Sequence, residues 1–452
     1  MLRYLARPSL LRLNGRWSAQ WRYRSTIAKK VSDPLRILFC GSDDFSSVSL
    51  KALHEEKERN QDLIRSIDVV VRPPKPTGRG NKIIRHVPLQ GLAEQLGLTI
   101  HERDTFTGWH PPQPGGEPIN LIIAVSFGLF VPRRLLSAAR YGGLNVHPSL
   151  LPDLRGPAPL QHALLAGLAR TGVSLQTLSD EAFDAGLVLA QTPLPGVPVP
   201  VDCTVARLGQ MLAPLGAEML VRALRDGLHV PPPEPAGWIP GPEDRARLRH
   251  APKITTADRR VDWAGGGGGA ELAARARVLG PLWGRALHRG DGDGGEERRL
   301  ILEGVEVAPR EQWPEGMVRL LRAAAEARDG AAENGGTEVD VDAAGPDLGV
   351  VTWVQDAAGE GNGTGTSTRY VDIPYFPDGE TIIVPAARGG CVRIHSIKVE
   401  GEKSRPAATA IGAFSKKHTG RGAGPWDSIW QALPGADALT LPIEAGLKHL
   451  LP

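Results

Sequence analysis

The first buried strand of the chain is predicted at Leu35-Arg36-Ile37-Leu38-Phe39-Cys40-Gly41, a short apolar run that ends in glycine. Such a run is typical of a parallel strand that leads into a turn. A second apolar run, Asn120 to Phe127, has the same character, and apolar residues recur at helical spacing between the two, as in Leu89 to Leu96. Alternation of strands and helices predicts an α/β fold with a doubly wound, mostly parallel sheet. Ligands of such sheets bind beyond the carboxyl ends of the strands.

The composition changes after this α/β region. Prolines crowd residues 231–242, which is typical of an extended linker. Beyond them, strand-like segments alternate with glycine-rich insertions, and we expect a smaller carboxy-terminal β-barrel resembling an OB-fold. The predicted organisation is a leader at 1–32, a catalytic domain at 33–228, a Pro-rich linker at 229–249, the OB-like domain at 250–414 and a tail without an assigned role at 415–452.

Composition excludes several classes of protein. The 452 residues contain three cysteines, too few for a disulfide framework or a cysteine-based zinc site. No apolar run approaches the ~18 residues of a membrane-spanning helix, so no membrane contact is expected. The motifs Gly-x-Gly-x-x-Gly after the first strand, Gly-x-x-x-x-Gly-Lys-Ser/Thr and His-Glu-x-x-His are all missing. A dinucleotide enzyme, an NTPase and a zinc hydrolase are therefore unsupported.

The leader has a distinct charge pattern. Residues 1–32 contain eight arginines and lysines and no acid, with leucines interleaved among the arginines. An acid-free, arginine-rich amino terminus is typical of a mitochondrial transit peptide. A disordered basic tail is the alternative.

The densest group of polar residues is Asn145-Val146-His147-Pro148-Ser149, at the end of a short apolar strand. Alternation along the strand places Asn145 and His147 on the same side. An amide and an imidazole together can bind a carbonyl oxygen and stabilise the negative charge that develops on it. The alternative is that His147 has only a structural role. The neighbouring Asn145 and the turn between two prolines make that alternative less favoured.

A carboxylate that supports His147 is expected at Asp184, in a loop that precedes Gly186. A carboxylate beside an imidazole orients the ring and can take up a proton. An aspartate in an ordinary turn is an equally good interpretation of the local sequence.

A basic segment, residues 72–85, contains five cationic residues and no acid. Its prolines and glycines predict a projecting loop without regular structure. Such a loop suits contacts with nucleic-acid phosphates, although a solvated basic loop is the simpler interpretation. Its candidate binding residues are Arg72, Lys75, Arg79, Lys82 and Arg85.

Several motifs together resemble the methionyl-tRNA formyltransferase family. Its Asn-x-His-x-Ser-Leu-Leu-Pro-x-x-Arg-Gly signature is matched from Asn145 through Gly156, and its Asp-x-Gly by Asp184-Ala185-Gly186. Its basic-loop motif is matched by Pro76-Thr77-Gly78-Arg79-Gly80, and its opening turn by Gly41-Ser42-Asp43-Asp44-Phe45. The match is good over about residues 35–265 and thins beyond. The Asn-x-His motif and the aspartate are shared with purine-pathway and sugar formyltransferases. The basic loop and the second domain narrow the resemblance to the formyltransferases that act on tRNA.

The resemblance implies a mechanism and a set of ligands. It implies formyl transfer from 10-formyltetrahydrofolate to methionyl initiator tRNA, without a metal. Together with the leader it predicts a mitochondrial form located in the matrix, and we expect a monomer. The catalytic residues would be Asn145, His147 and Asp184. The folate would lie against Ser149, Leu150, Leu151, Pro152, Ser126, Phe127 and Gly128. The alternatives are a formyltransferase for a small amine, such as a sugar nucleotide or glycinamide ribonucleotide, and a catalytically silent RNA-binding protein.

Overall fold

The computed structural model describes residues 30–77, 83–85, 87–263, 265, 267–289, 295–323, 347–356 and 368–416. The chain divides into two compact units, and the division falls after Pro252. Most of the predicted leader, parts of the glycine-rich insertions, and all of the tail beyond Lys416 lie outside the described residues.

The first unit is built on one sheet of seven strands. In chain order these are β1 (Leu35–Gly41), β2 (Ile64–Val71), β5 (Thr99–Glu102), β6 (Leu121–Val125), β7 (Gly143–His147), β9 (Ser174–Thr177) and β10 (Val188–Gln191). Two short pairs lie apart from the sheet, namely β3 (Lys75–Thr77) with β4 (Ile83–Arg85) and β8 (Arg170–Thr171) with β11 (Val197–Pro198).

The order across the sheet is β10-β9-β7-β6-β1-β2-β5. The five strands from β7 to β5 run parallel, and β9 and β10 complete the sheet in antiparallel fashion. The prediction of a doubly wound, mostly parallel sheet is confirmed. The chain moves outward from β1 first towards β2 and later towards β6, so the strand order switches between β1 and β6, where such sheets bind ligands.

Helices cover the sheet. In the first unit these are α1 (Asp44–Arg59), α2 (Pro88–Gln95), α3 (Arg133–Ala138), α4 (Pro159–Leu165), α5 (Val205–Arg225) and α6 (Pro242–Arg247). The α1 helix begins at an aspartate cap, because Asp43 accepts a hydrogen bond from the backbone of Ser46 at 2.9 Å. The α1 and α5 helices pack together and share an ion pair between Glu56 and Arg225. In the described part of the chain, no helix is long and apolar enough to cross a membrane.

The basic segment differs from its prediction. Lys75–Thr77 and Ile83–Arg85 pair as an antiparallel hairpin, with Pro76 opposite Ile84. The prediction that proline forbids a regular element here is wrong, because each strand of an isolated hairpin has one open edge, and a proline whose nitrogen lies on that edge removes no ladder bond.

Two stretches at the predicted boundaries pack on the first unit. Ser32, assigned to the leader, lies with its Oγ 2.8 Å from Nε2 of His229. In the Pro-rich stretch, the backbone of Ala236 donates to Val188 of β10 at 2.9 Å. The segment that was expected to be an extended linker therefore contacts the sheet and contains α6, and the first unit extends to Pro252.

The second unit is an antiparallel barrel. Its strands are β12 (Leu282–His288), β13 (Glu296–Ala308), β14 (Gly349–Asp356), β15 (Thr368–Asp378), β16 (Thr381–Pro385), β17 (Cys391–Val399), β18 (Arg405–Pro406) and β19 (Ser415–Lys416). The main path is β12-β13-β17-β16-β15-β14, and β14 pairs back to β12 to close it. The α7 helix (Gly269–Leu279) and a short helix (Ala407–Ala410) pack on the barrel. The predicted second β domain is present.

Candidate active site

The candidate site lies at the carboxyl ends of β6 and β7, beside the switch in strand order. Ala124 on β6 pairs with Asn145 on β7, and Asn145 lies opposite Gln176 on β9. Asn145 and His147 stand on the same face of β7, as the alternation predicted. The sheet therefore aligns polar side chains from β7 and β9 beside the backbone of β6.

The His147 ring is held between two acceptors. Its Nδ1 lies 3.3 Å from Oδ1 of Asp184, and its Nε2 lies 3.0 Å from the carbonyl oxygen of Leu154. The ring is buried, with only 5% of the residue exposed. A doubly protonated ring satisfies both acceptors, because only N–H groups can donate to a carboxylate and a carbonyl.

Asp184 is fixed by three donors. Its Oδ1 also accepts from Nε2 of Gln176 at 2.9 Å, and its Oδ2 accepts from the backbone N–H of Gly156 at 2.9 Å. Burial raises the pKa of this carboxyl, but the hydrogen bond and charge of His147, with the bonds from Gly156 and Gln176, outweigh burial and lower the pKa below its usual value. The structure therefore keeps Asp184 ionised beside the histidine.

Backbone strain is concentrated here. In the described chain, the residues other than glycine with positive φ are Ser126 (48°), Leu154 (58°) and Asp184 (52°), and all three belong to candidate-site segments. Left-handed backbone is unfavourable for such residues and clusters at functional sites. The glycine of the Asp-x-Gly motif is also required, since a Cβ on Gly186 would lie 1.7 Å from the carbonyl oxygen of Thr177.

Gln176 is the residue that sequence reasoning missed. Its buried side chain donates to Oδ1 of Asn145 at 3.0 Å as well as to Asp184. The available signal was the alternation of Ser174 and Gln176 about the apolar Leu175, which indicates polar side chains on one face. That signal could not reveal the antiparallel register that brings Gln176 to Asn145.

The predicted folate residues differ in exposure. Ser126 and Gly128 are exposed and Leu150 and Pro152 are half-buried, whereas Phe127, Ser149 and Leu151 are buried. The hydroxyl of Ser149 donates to the backbone of Asp153 at 2.7 Å, so it supports the turn. The assignment stays a prediction, in which the exposed members contact the ligand and the buried members shape the wall.

The predicted tRNA residues are only partly described. Arg79 and Lys82 lie outside the described residues, and for Lys75 and Arg85 the structure gives the backbone of the hairpin. Arg72 is half-buried and forms an ion pair with Asp104 at 2.8 Å. Its charge is therefore already partnered, and Arg79 is the better candidate for a direct phosphate contact.

Comparison with known proteins assigns the class. Residues 35–224 match the Formyl transferase family, a range that begins at β1 and ends within α5. The first unit, with its strand-end asparagine and histidine, is thus a formyl transferase domain.

Three relatives assign the chain to a more specific family. The chain is 37% identical over 297 residues to the mitochondrial methionyl-tRNA formyltransferase of Saccharomyces cerevisiae, a match that covers 58% of this chain and 72% of the relative. It is 32% identical over 313 residues to the methionyl-tRNA formyltransferase of Chromohalobacter salexigens, covering 68% of this chain and 88% of the relative. The mitochondrial form of Bos taurus is 32% identical over 263 residues, with coverages of 56% and 61%. The chain belongs to the methionyl-tRNA formyltransferase family.

Proposed function

We propose that the protein transfers the formyl group of 10-formyltetrahydrofolate to the α-amine of methionine carried by initiator tRNA, in the mitochondrial matrix. Membership of the methionyl-tRNA formyltransferase family supports the reaction and the acceptor, and similarity to mitochondrial forms supports the location. The observation that carries the proposal is the trio of Asn145, His147 and Asp184, which hydrogen bonds and an ion pair hold together at the end of β7. The small-amine and silent RNA-binding alternatives are not favoured.

The site suits a co-substrate that bears a carbonyl. The exposed Ser126 and Gly128 have positive φ and follow β6, the strand whose Ala124 pairs with Asn145. The folate co-substrate supplies the formyl group. These residues and the turn at 149–152 would hold it.

Asn145 is the proposed direct donor to the formyl oxygen. One hydrogen of its Nδ2 is donated to the carbonyl oxygen of Ala124, at 2.9 Å. The second hydrogen has no acceptor among the hydrogen bonds of the described residues and is available to the reacting oxygen. A donor fixed before the reaction stabilises developing charge without reorganising.

His147 and Asp184 act as a coupled pair. Because both ring nitrogens of His147 face protein acceptors, we infer that the ring stabilises the oxyanion mainly through its charge. Direct donation from the ring, as the resemblance implied, would require one of those bonds to break. The ionised Asp184 can remove the amine proton, directly or through a water molecule, as the amine nitrogen bonds to the formyl carbon. The bond between that carbon and the folate nitrogen would then break, and the proton would pass to that nitrogen to release tetrahydrofolate.

An acceptor comparison tests the proposed function. Residues 30–452 would be assayed with 10-formyltetrahydrofolate and four acceptors, namely initiator Met-tRNA, elongator Met-tRNA, glycinamide ribonucleotide and a sugar-nucleotide amine. We expect transfer to initiator Met-tRNA. Transfer only to a small amine would contradict the proposed acceptor, and no transfer despite protection by folate against thermal unfolding would contradict the reaction.

A further inference from the structure

Gln176 occupies a special place in the sheet register. It lies on β9 directly opposite Asn145, which itself pairs with Ala124, so the three residues form one row across three adjacent strands. Residues directly opposite in a sheet project from the same face and interact. The register therefore places the buried Gln176 side chain against Asn145.

The hydrogen bonds of this row have a fixed direction. The carbonyl oxygen of Ala124 can only accept, so Asn145 must present Nδ2 to it. Oδ1 of Asn145 then faces Gln176, which must present its own Nε2. The same Nε2 donates to Asp184, which means that both amide hydrogens of Gln176 go to members of the proposed trio.

This arrangement leaves one polar atom unsatisfied. Oε1 of Gln176 is buried and has no hydrogen-bond partner in the described structure. An unpaired buried acceptor reduces stability, and an apolar side chain of similar size would avoid that cost. Its two donated bonds, by contrast, hold two of the three side chains on which the proposed chemistry depends.

We propose that Gln176 is a positioning residue for formyl transfer. It fixes the Asn145 amide so that the remaining Nδ2 hydrogen is directed at the reacting oxygen, and it holds Asp184 against His147. This inference rests on the proposed function, because it assigns Gln176 a role in the same reaction.

A second glutamine provides a matched comparison. Gln191 on β10 donates from Nε2 to the carbonyl oxygen of Leu151 and to Oγ of Ser174, both at 2.8 Å. Its Oε1 accepts from the backbone of Trp238 at 2.9 Å. Gln191 thus supports the predicted folate turn at 149–152, whereas Gln176 supports the trio.

Three methionine variants of the full chain separate these roles. Gln176→Met keeps the bulk of the side chain and removes its donors, and we expect kcat with initiator Met-tRNA to fall about 10–100-fold, with KM for both substrates within about twofold. Gln191→Met should raise KM for the folate more than it lowers kcat. Gln95→Met, which changes an exposed glutamine at the end of α2, is the neutral control.

The pH profile of kcat distinguishes a positioning role of Gln176 from a purely structural one, because a loss of stability alone would not shift the profile. Asp184 faces His147 from β7, the Gly156 N–H from the following loop and Gln176 from β9. Removing the Gln176 donor raises the pKa of Asp184, so the acid limb of the profile should shift to higher pH in Gln176→Met and stay in place in Gln191→Met. Gln176→Met combined with Asp184→Asn should lose less activity than the product of the two single losses, because the part that acts through Asp184 is already absent and only the part that acts through Asn145 remains.

The proposal is overturned if Gln176→Met retains the wild-type kcat. It is equally overturned if the loss matches the loss of folded protein, or appears in KM with an unmoved pH profile. If Gln176→Met does not fold, Gln176→Glu is the second variant, because it keeps the shape of the side chain. Its kcat should fall further than that of Gln176→Met, because its carboxylate faces Asp184. Wild-type protein that fails to formylate Met-tRNA would instead refute the proposed function.

Discussion

The carboxylate of Asp184 lies 3.3 Å from Nδ1 of His147, in a site where each group is already oriented by other bonds. The opposite ring nitrogen of His147 meets the carbonyl oxygen of Leu154, and the second oxygen of Asp184 meets the Gly156 N–H. The pair is therefore assembled in the protein itself. Preorganisation of this kind is what a site needs in order to stabilise charge as it develops.

The coupling between His147 and Asp184 predicts that substitutions of the two residues have non-additive effects on kcat. His147→Ala and Asp184→Ala should each reduce kcat strongly, and the double variant should be little worse than the worse single variant, because the two side chains act as a unit. Asn145→Ala should lower kcat roughly 10²–10³-fold through loss of one donor to the oxyanion. Steady-state kinetics with initiator Met-tRNA measures all four variants, and fully multiplicative losses of His147 and Asp184 would argue against a shared role.

Gly156 should tolerate no side chain. Its φ is 124°, and a Cβ there would lie 2.4 Å from the carbonyl oxygen of Ala251. Gly156→Ala should reduce the free energy of unfolding by at least about 2 kcal/mol and also lower kcat, because its N–H holds Asp184. Gly91→Ala is the control, since that helical glycine has open space and alanine favours the helix. Urea unfolding that shows equal stability for both variants would contradict the close approach.

Residues 30–32 should contribute to stability. A protein of residues 30–452 keeps the hydrogen bond between Ser32 and His229 and the bond from Lys30 to the carbonyl oxygen of Val230, at 3.2 Å. A protein of residues 33–452 loses both. We expect the shorter chain to be less stable by about 1–3 kcal/mol, because His229 is left buried without its partner. Equal urea midpoints would show that this contact contributes nothing.

His229 predicts an acid-side loss of stability. Burial lowers the pKa of His229 to about 4 from 6.5. Between these two values the unfolded chain binds a proton that the folded chain does not, so the free energy of unfolding falls as the pH drops, by up to about 1.4 kcal/mol per pH unit. The contribution is complete above pH 6.5. His229→Gln should flatten this slope in urea titrations at pH 4.5–7, and an unchanged slope would assign it to other groups.

The basic segment, residues 72–85, predicts a separate effect on tRNA binding. Arg79→Ala should raise KM for Met-tRNA and reduce the salt dependence of binding by about one counterion, with the folate affinity unchanged. Arg72→Ala is the comparison, since its ion pair with Asp104 leaves it less available and the loss should be smaller. Loss of folate binding in Arg79→Ala would show that the segment belongs to the folate site.

Elements with strong local sequence signals could be predicted from the sequence. The apolar runs at β1 and β6 predicted buried strands, and the polar group at Asn145 and His147 predicted the edge on which the site lies. The role of Gln176 could not be predicted, because it depends on the antiparallel register between β7 and β9. The β3–β4 hairpin was missed for a related reason: whether proline is tolerated depends on which strand edge is exposed.

The most direct test of the central claim is single-turnover formyl transfer to initiator Met-tRNA by Asp184→Asn, at saturating 10-formyltetrahydrofolate. The variant keeps the shape of Asp184 but removes the charge beside His147 and the base for the amine proton. Our account predicts that the rate of the chemical step falls by at least about 10²-fold while folate and tRNA binding persist. A near-wild-type rate, with both ligands bound, would contradict the assignment of this pair to catalysis.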